Sequence, residues 1–295
     1  MRRKTSMLFM GLAVAVVTAQ AARGATIQFL TPAGSSTGIA YGVDGLNVVG
    51  QDVAQRGFYY NGATNKYTVI QPGKGTTAAL GISSNKIVGL WGKLAFIYDG
   101  STYSTLSHPL GVNGTAAAGI DGDYIVGWYT DASGKRHGFL YDGSSYTTID
   151  APLGAQGTVA RGISGSLIVG TYDDANSRTH GFSFDGTTYT TLDDPLLMGM
   201  TAANGVDGTT IVGYTINSPF SAAFIYDGAS YSHPFSIEGV PDHVFYGVSG
   251  NRIVGEYNDR PFVYIIPEPS SLLLAMIGAA CLAVLSRRHH AAPRY

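Results

Sequence analysis

The side chains able to do chemistry in this 295-residue chain are spread along it by a repeat instead of gathered at one place. Aspartate precedes glycine at Asp99, Asp142, Asp185 and Asp227, with Asn61 at the first such position. A carboxylate that returns at every turn serves turn geometry, because Asp accepts hydrogen bonds from the backbone two residues on. His137 and His180 share one position in successive units and read as framework, since a zinc site would need further His or Cys ligands. His108 and His233 fall on or just after outer strands, where water is the expected neighbour. The consecutive pairs Asp173/Asp174 and Asp193/Asp194 read as solvated loop carboxylates, because the paired acids of glycosidases converge across a cleft. Segments 129–134 and 172–177 carry oxygen ligands without calcium-loop spacing. No Gly-x-Ser-x-Gly elbow, His-Glu-x-x-His helix or phosphate loop occurs. The expectation is a non-enzymatic protein with no catalytic, cofactor-binding or metal-ligating residues.

One link breaks the repetition. From the last Gly of each Ile/Val-Val-Gly tripeptide to the following Phe the separation is 8, 7 and 7 residues in the first, second and sixth units. It is 12, 12 and 11 in the third, fourth and fifth. Links between equivalent strands emerge on one face, so 129–137, 172–180 and 214–222 should raise half of it. Loops on a rigid scaffold are where binding usually resides. Tyr129, Lys135, Arg136, Tyr172, Arg178 and Tyr214 are therefore the candidate binding face, for carbohydrate or for protein.

The elements that position these residues come from six copies of one unit, recurring every 38 to 43 residues. The tripeptide ends at Gly50, Gly89, Gly127, Gly170, Gly213 and Gly255, and a Gly-Ile or Gly-Val pair begins eight residues before each. Phe58, Phe96, Phe139, Phe182, Phe224 and Phe262 follow, then Asp-Gly or Asn-Gly in the first five copies, then a Tyr leading a Thr/Ser-rich stretch. Each unit reads as four short antiparallel strands, with Asp-Gly expected to form a two-residue hairpin. Such units repeated at this period describe an all-β, six-bladed β-propeller over residues 25–266. The sixth copy lacks its fourth strand, while the orphan segment from Thr26 to Pro32 matches that strand: Thr26 lies 16 residues before Gly42, as Tyr103, Tyr146, Tyr189 and Tyr231 each lie 16 before the next Gly. The N-terminal strand is thus expected to close the ring.

Both ends differ from the repeat. Arg2, Arg3 and Lys4 precede an apolar run and Ala19-Gln20-Ala21, the pattern of a secretory signal peptide over residues 1–24. Residues 267–295 hold Pro267-Glu268-Pro269, an apolar stretch from Leu272 to Leu285 that reads as a short transmembrane helix, and then Arg287 and Arg288. These three parts in this order resemble the PEP-CTERM sorting signal. The resemblance implies an inner-membrane intermediate, an exosortase as partner, and arrival at the cell surface or extracellular matrix of a Gram-negative bacterium. The tail also resembles what is called an ice-binding protein C-terminal domain, a label that by itself says nothing of ice. The repeat, through Gly119-Ile120, Ile125-Val126-Gly127 and His137-Gly138-Phe139-Leu140-Tyr141, resembles the extracellular HAF repeat, with Gly in place of Ala. That resemblance implies an extracellular repeat protein with no defined activity.

Between Ala25 and Leu285 there are 11 Lys and Arg against 20 Asp and Glu, a net charge of −9. Nucleic acid, which needs clustered cations, is not an expected partner. The lone Cys281 lies in the tail, so the domain has no disulfide and no cofactor is implied. The reading is an exported surface or matrix repeat protein with a structural or carbohydrate- or protein-binding role. The alternatives are a polysaccharide-active hydrolase or lyase on a propeller, and binding to ice or another solid surface through the Thr-rich outer strands.

Overall fold

The computed structural model describes residues 25–32, 36–195, 199–217, 220–234 and 243–266, which form 24 strands and no α-helix. The segments read as signal peptide and as transmembrane helix lie outside these residues. Among those described, no helix is long and apolar enough to cross a membrane.

Each of the first five units pairs its four strands antiparallel in chain order. In the first they are Gly38–Asp44, Asn47–Asp52, Gly57–Asn61 and Lys66–Ile70. The second strand carries two consecutive buried residues instead of an alternation, because a sheet inside the array is covered on both faces. Val48 packs into one inter-sheet core with Phe58, Val254 and Val263, and Val49 into the next with Ile70, Ala79 and Phe96. All six Phe of the third strands are at most 2% exposed. The glycine that ends each tripeptide is what admits them: a Cβ on Gly50 would overlap the Ile39 carbonyl and stand 2.7 Å from the Phe58 ring.

The innermost strands, Gly38–Asp44, Thr77–Ser83, Gly114–Asp121, Gly157–Ser164, Met200–Asp207 and His243–Ser249, each touch the next, and the last touches the first. Their Gly-Ile/Val glycines let the backbones crowd together at the axis. A Cβ on Gly42 would lie 2.8 Å from the Leu80 carbonyl, and one on Gly247 would lie 2.7 Å from that of Tyr41. This is a β-propeller.

Closure of the ring is threefold. Thr26–Phe29 pairs antiparallel with Arg260–Ile265, Thr26 opposite Ile265 and Phe29 opposite Phe262, as the strand count predicts. The Tyr67 hydroxyl accepts from Thr31 N at 2.9 Å. At the tight turns between first and second strands, alternating Asp and Ser side chains each accept from a turn N–H of the next unit. Asp44, Ser83, Asp121, Ser164 and Asp207 do so in succession, and Ser249 accepts from Gly45 N at 3.2 Å to complete the circle.

Two expectations are corrected. Only four sheets are separate and four-stranded; the third and fourth units form one eight-stranded sheet. The cause is a single parallel bridge, Arg136 opposite Gly157, made because the long hairpin of the third unit reaches the next inner strand. Other seams carry lone hydrogen bonds at that place, such as Thr77 N to Gln55 O (2.9 Å) and Gly38 N to Asp259 O (2.8 Å). The Asp-Gly turns are four-residue loops, not two-residue hairpins, since Tyr98 pairs with Tyr103 and Tyr141 with Tyr146. Only the Gly has positive φ there (+98° at Gly100), while the Asp99 carboxylate accepts from Ser101 N and Thr102 N.

Candidate functional site

In every innermost strand the register slips just before the Gly-Ile/Val pair, leaving one residue unpaired as a β-bulge. The six bulge residues are Tyr41, Leu80, Ala118, Arg161, Asn204 and Tyr246, and with Trp128 they line a cavity of about 80 Å³ on the axis. The surrounding framework repeats and this ring does not. Leu80 and Ala118 make one side apolar, and the other four residues make the remainder polar and aromatic.

Tyr41 and Tyr246 meet edge to face, with centroids 5.1 Å apart. Burial, with the Glu256 charge adding to it, pushes the Tyr41 phenol up to about 12 and raises Tyr246 as well, so both remain hydroxyl donors at neutral pH. Asn204 is 6% exposed; its Nδ2 donates to Phe245 O at 2.7 Å, and its Oδ1 has no partner. Arg161 is half-buried, with its open part on the channel, and its buried Nε also lacks a partner. Burial lowers the Arg161 guanidinium below the usual arginine value; Tyr214, Tyr246 and Tyr41 act against that shift, and Arg136 adds to it. A buried amide oxygen and a guanidinium N–H with nothing to bind are costly unless solvent or a ligand fills the site.

The long links open on the same face as Trp128. They are extended hairpins more than loops, because pairing continues from Tyr129–His137 to Thr130–Arg136, from Tyr172–His180 to Asp173–Thr179, and from Thr215–Ala222 to Asn217–Phe220. That continuation corrects part of the predicted binding face. Tyr129 and Tyr172 are 3% and 4% exposed and stack on His137 and His180 between sheets, so they are packing residues. Lys135 and Arg178 sit at hairpin tips, where the Arg178 guanidinium donates to Gly199 O at 3.3 Å. Exposed Arg136 and half-buried Tyr214 stand near enough to Arg161 to act on its guanidinium, though neither lines the cavity. The Asp131 and Asp174 carboxylates in these tips each accept from two backbone N–H groups of their own turn, which accounts for the oxygen-rich spacing. Among the described residues no cluster of three or more His, Cys, Asp or Glu is placed to hold a metal.

Three side chains expected in water are buried. The Asp194 side chain is fully enclosed and accepts from the Thr215 hydroxyl at 3.1 Å; His233 Nε2 lies 2.7 Å from it. His108 is 6% exposed, lies flat on Tyr129 at 3.8 Å, and accepts from Leu110 N at 3.2 Å through Nδ1. Burial, then the nearby His137, lowers the His108 pKa. The folded pKa therefore lies below the unfolded one, and the unfolded chain takes up this proton first. Stability should fall as pH drops through the ordinary histidine value of about 6.5 and below. Melting curves from pH 8 to 5 should show a shallower pH slope in His108→Phe than in the parent, whatever the change in absolute Tm. Equal slopes would remove His108 as the cause.

The ring residues were missed because attention to the repeat selects what recurs. Their signal is the opposite one: the residue before each recurrent Gly varies among the copies, Tyr, Leu, Ala, Arg, Asn, Tyr.

The described chain ends at Ile266, whose N–H donates to Asn251 O at 2.8 Å beside the tight turns, on the face opposite the long hairpins. Residues 266–288 match the model of the PEP-CTERM protein-sorting motif. The chain carries a PEP-CTERM signal. Pro267, Glu268, Pro269, Arg287 and Arg288 fall inside the matched span and outside the described residues. A PEP-CTERM signal implies an exported protein processed by an exosortase and sorted to the surface of a Gram-negative bacterium. No curated protein matches this sequence significantly. Solved structures that share the fold include the following two. A catalytically inactive variant of virginiamycin B lyase from Staphylococcus aureus, with quinupristin, is 14% identical, with 82% of this chain and 100% of that one covered, at a TM-score of 0.50. The SapL1 lectin in complex with alpha methyl fucoside is 14% identical, covering 78% and 90%, at 0.51. Likeness at this level is a likeness of fold alone.

Proposed function

We propose that this PEP-CTERM protein is a non-enzymatic binding propeller of the cell surface or extracellular matrix, holding carbohydrate or protein at the face that bears the long hairpins and the channel mouth. The observation that carries the reading is the ring of bulge residues. A scaffold repeated six times, counting the eight-stranded sheet as two blades, departs from its own pattern at the axis. There it presents Tyr41 and Tyr246 beside Arg161 and Asn204, whose Nε and Oδ1 are left unsatisfied. Framework needs no such variation; a ligand does. Ile266, the last described residue, lies on the opposite face, so exosortase handling at the membrane would leave the channel mouth pointing outward. A HAF-type extracellular repeat and removal of residues 1–24 on export fit this placement.

Replacing each long hairpin by the two-residue connection between Trp91 and Leu94 is expected to reduce retention in the extracellular matrix at least severalfold while the domain still folds. Fractionation of cells making parent and variant measures it, and unchanged retention ends the proposal. Deleting residues 267–295 should abolish surface sorting without altering the thermal unfolding of the domain, which separates the address from the binding face.

A further inference from the structure

We propose that the channel mouth is a subsite for a carboxylate with a neighbouring hydroxyl, as found on a uronic acid end-group of an acidic polysaccharide, with Arg161 taking the carboxylate and Asn204 Oδ1 taking the hydroxyl. The inference rests on the carbohydrate reading above and deepens it.

The ligand is identified by what the ring leaves unsatisfied. Arg161 presents a guanidinium that makes no ion pair among the described residues and whose buried Nε has no acceptor. A guanidinium binds a carboxylate through parallel N–H donors. Asn204 lines the channel and is nine-tenths buried; the bond from Nδ2 to Phe245 O fixes the amide and leaves its buried Oδ1 an acceptor without a donor. A ligand must therefore bring anionic oxygens and a hydroxyl close together. Neutral sugars bring only the second, and simple anions only the first. Tyr41 and Tyr246 supply two more hydroxyls and an aromatic wall at the same ring.

Charge supports the choice. The chain from Ala25 to Leu285 carries −9, which repels polyanions in general. At the mouth, however, Arg136, exposed on the long hairpin of the third unit, adds a second positive charge near enough to act on Arg161. The acidic neighbour is Glu256, which acts on Tyr41 and Tyr246, the phenolic side of the ring. Size also restricts the ligand. About 80 Å³ admits a carboxylate and part of one ring, not a polymer strand passing through. An end-group is the form that fits.

The test is titration of the folded full-length domain, residues 25–266, with sodium glucuronate, glucose, glucuronate methyl ester and acetate, followed by calorimetry or NMR shifts. Glucuronate should bind, and glucose, the ester and acetate should bind at least tenfold more weakly. Arg161→Gln and Asn204→Ala should each weaken glucuronate by roughly tenfold or more, the scale of a lost hydrogen bond to a charged or buried group. Leu80→Ala, on the apolar side of the ring, should leave it within about twofold. Equal binding of glucose and glucuronate, indifferent to Arg161→Gln, would overturn the carboxylate subsite and leave a carbohydrate role standing. Acetate binding as well as glucuronate would reduce the site to a general anion hole and overturn the sugar assignment. Glucuronate failing to bind overturns the inference outright, while loss of matrix retention on hairpin shortening judges the broader reading separately.

Discussion

Gly127→Ala is expected to cost more than about 3 kcal/mol, which would leave the domain partly unfolded at ambient temperature. The added methyl would overlap the Ala116 carbonyl of the paired strand and stand 3.0 Å from the Phe139 ring. Overpacking against a side chain is relieved by a change of rotamer. Overpacking against a hydrogen-bonded backbone is not, because relief means prising apart the sheet pair that joins Ala117 to Gly127. Gly134→Ala is the control. Nothing lies within 4 Å of its Cβ position, but its φ is +90°, so the change adds backbone strain without a clash and should cost about 1 kcal/mol. Urea unfolding of both variants measures the difference. Similar midpoints would mean that the second strand can move away from the ring and that the packing argument for the recurrent glycine is wrong.

Removing residues 25–31 from the exported domain should have an effect of similar size by another route. The deletion takes away the pairing of Thr26–Phe29 with Arg260–Ile265. It also removes the bond from Leu30 N to Pro261 O (2.8 Å) and the donor that Thr31 N offers Tyr67. Leu30, 2% exposed and packed with Val254 and Val263, is lost as well. Loss of a buried leucine side chain alone costs about 2–5 kcal/mol, and the backbone bonds add to that, so a total near 5 kcal/mol is expected. For a domain of this size that corresponds to a fall in Tm of roughly 10–20 °C. The strand Arg260–Ile265 would then present an unpaired edge, and the variant should self-associate. Scanning calorimetry together with light scattering reads both effects. A deletion variant that melts like the parent and remains monomeric would show that the Asp/Ser circle at the tight turns closes the ring without the N-terminal strand.

How much of this was legible beforehand can be traced residue by residue. The tripeptide, the buried Phe and the 16-residue offset of Thr26 located the strands and the closing pair, because hydrophobic spacing and turn residues act locally and repeat. Tyr129 and Tyr172 were misplaced in loops because hairpin length was inferred from residue count, and the count does not say whether the extra residues pair. They do, and pairing turned those rings inward onto His137 and His180. His108 and Asp194 were placed in water because a polar residue after an outer strand usually is exposed. Here the segment turns back toward the next unit, where the hydroxyls of Thr115 and Thr201 accept from the His108 and Asp194 N–H groups.

The amino-acid order alone determined the repeat, the four strands of each unit, the N-terminal strand as the closing element and the sorting signal at the tail, since each depends on neighbours along the chain. The tertiary structure alone decided which side chains meet at the axis. A bulge of one residue reverses the side to which a strand's residues point, and its position is set by pairing between strands and by the crowding of six backbones around a common centre. That slip, taken once in each inner strand, turns a variable position of the repeat into a ring containing Arg161, Asn204, Tyr41 and Tyr246.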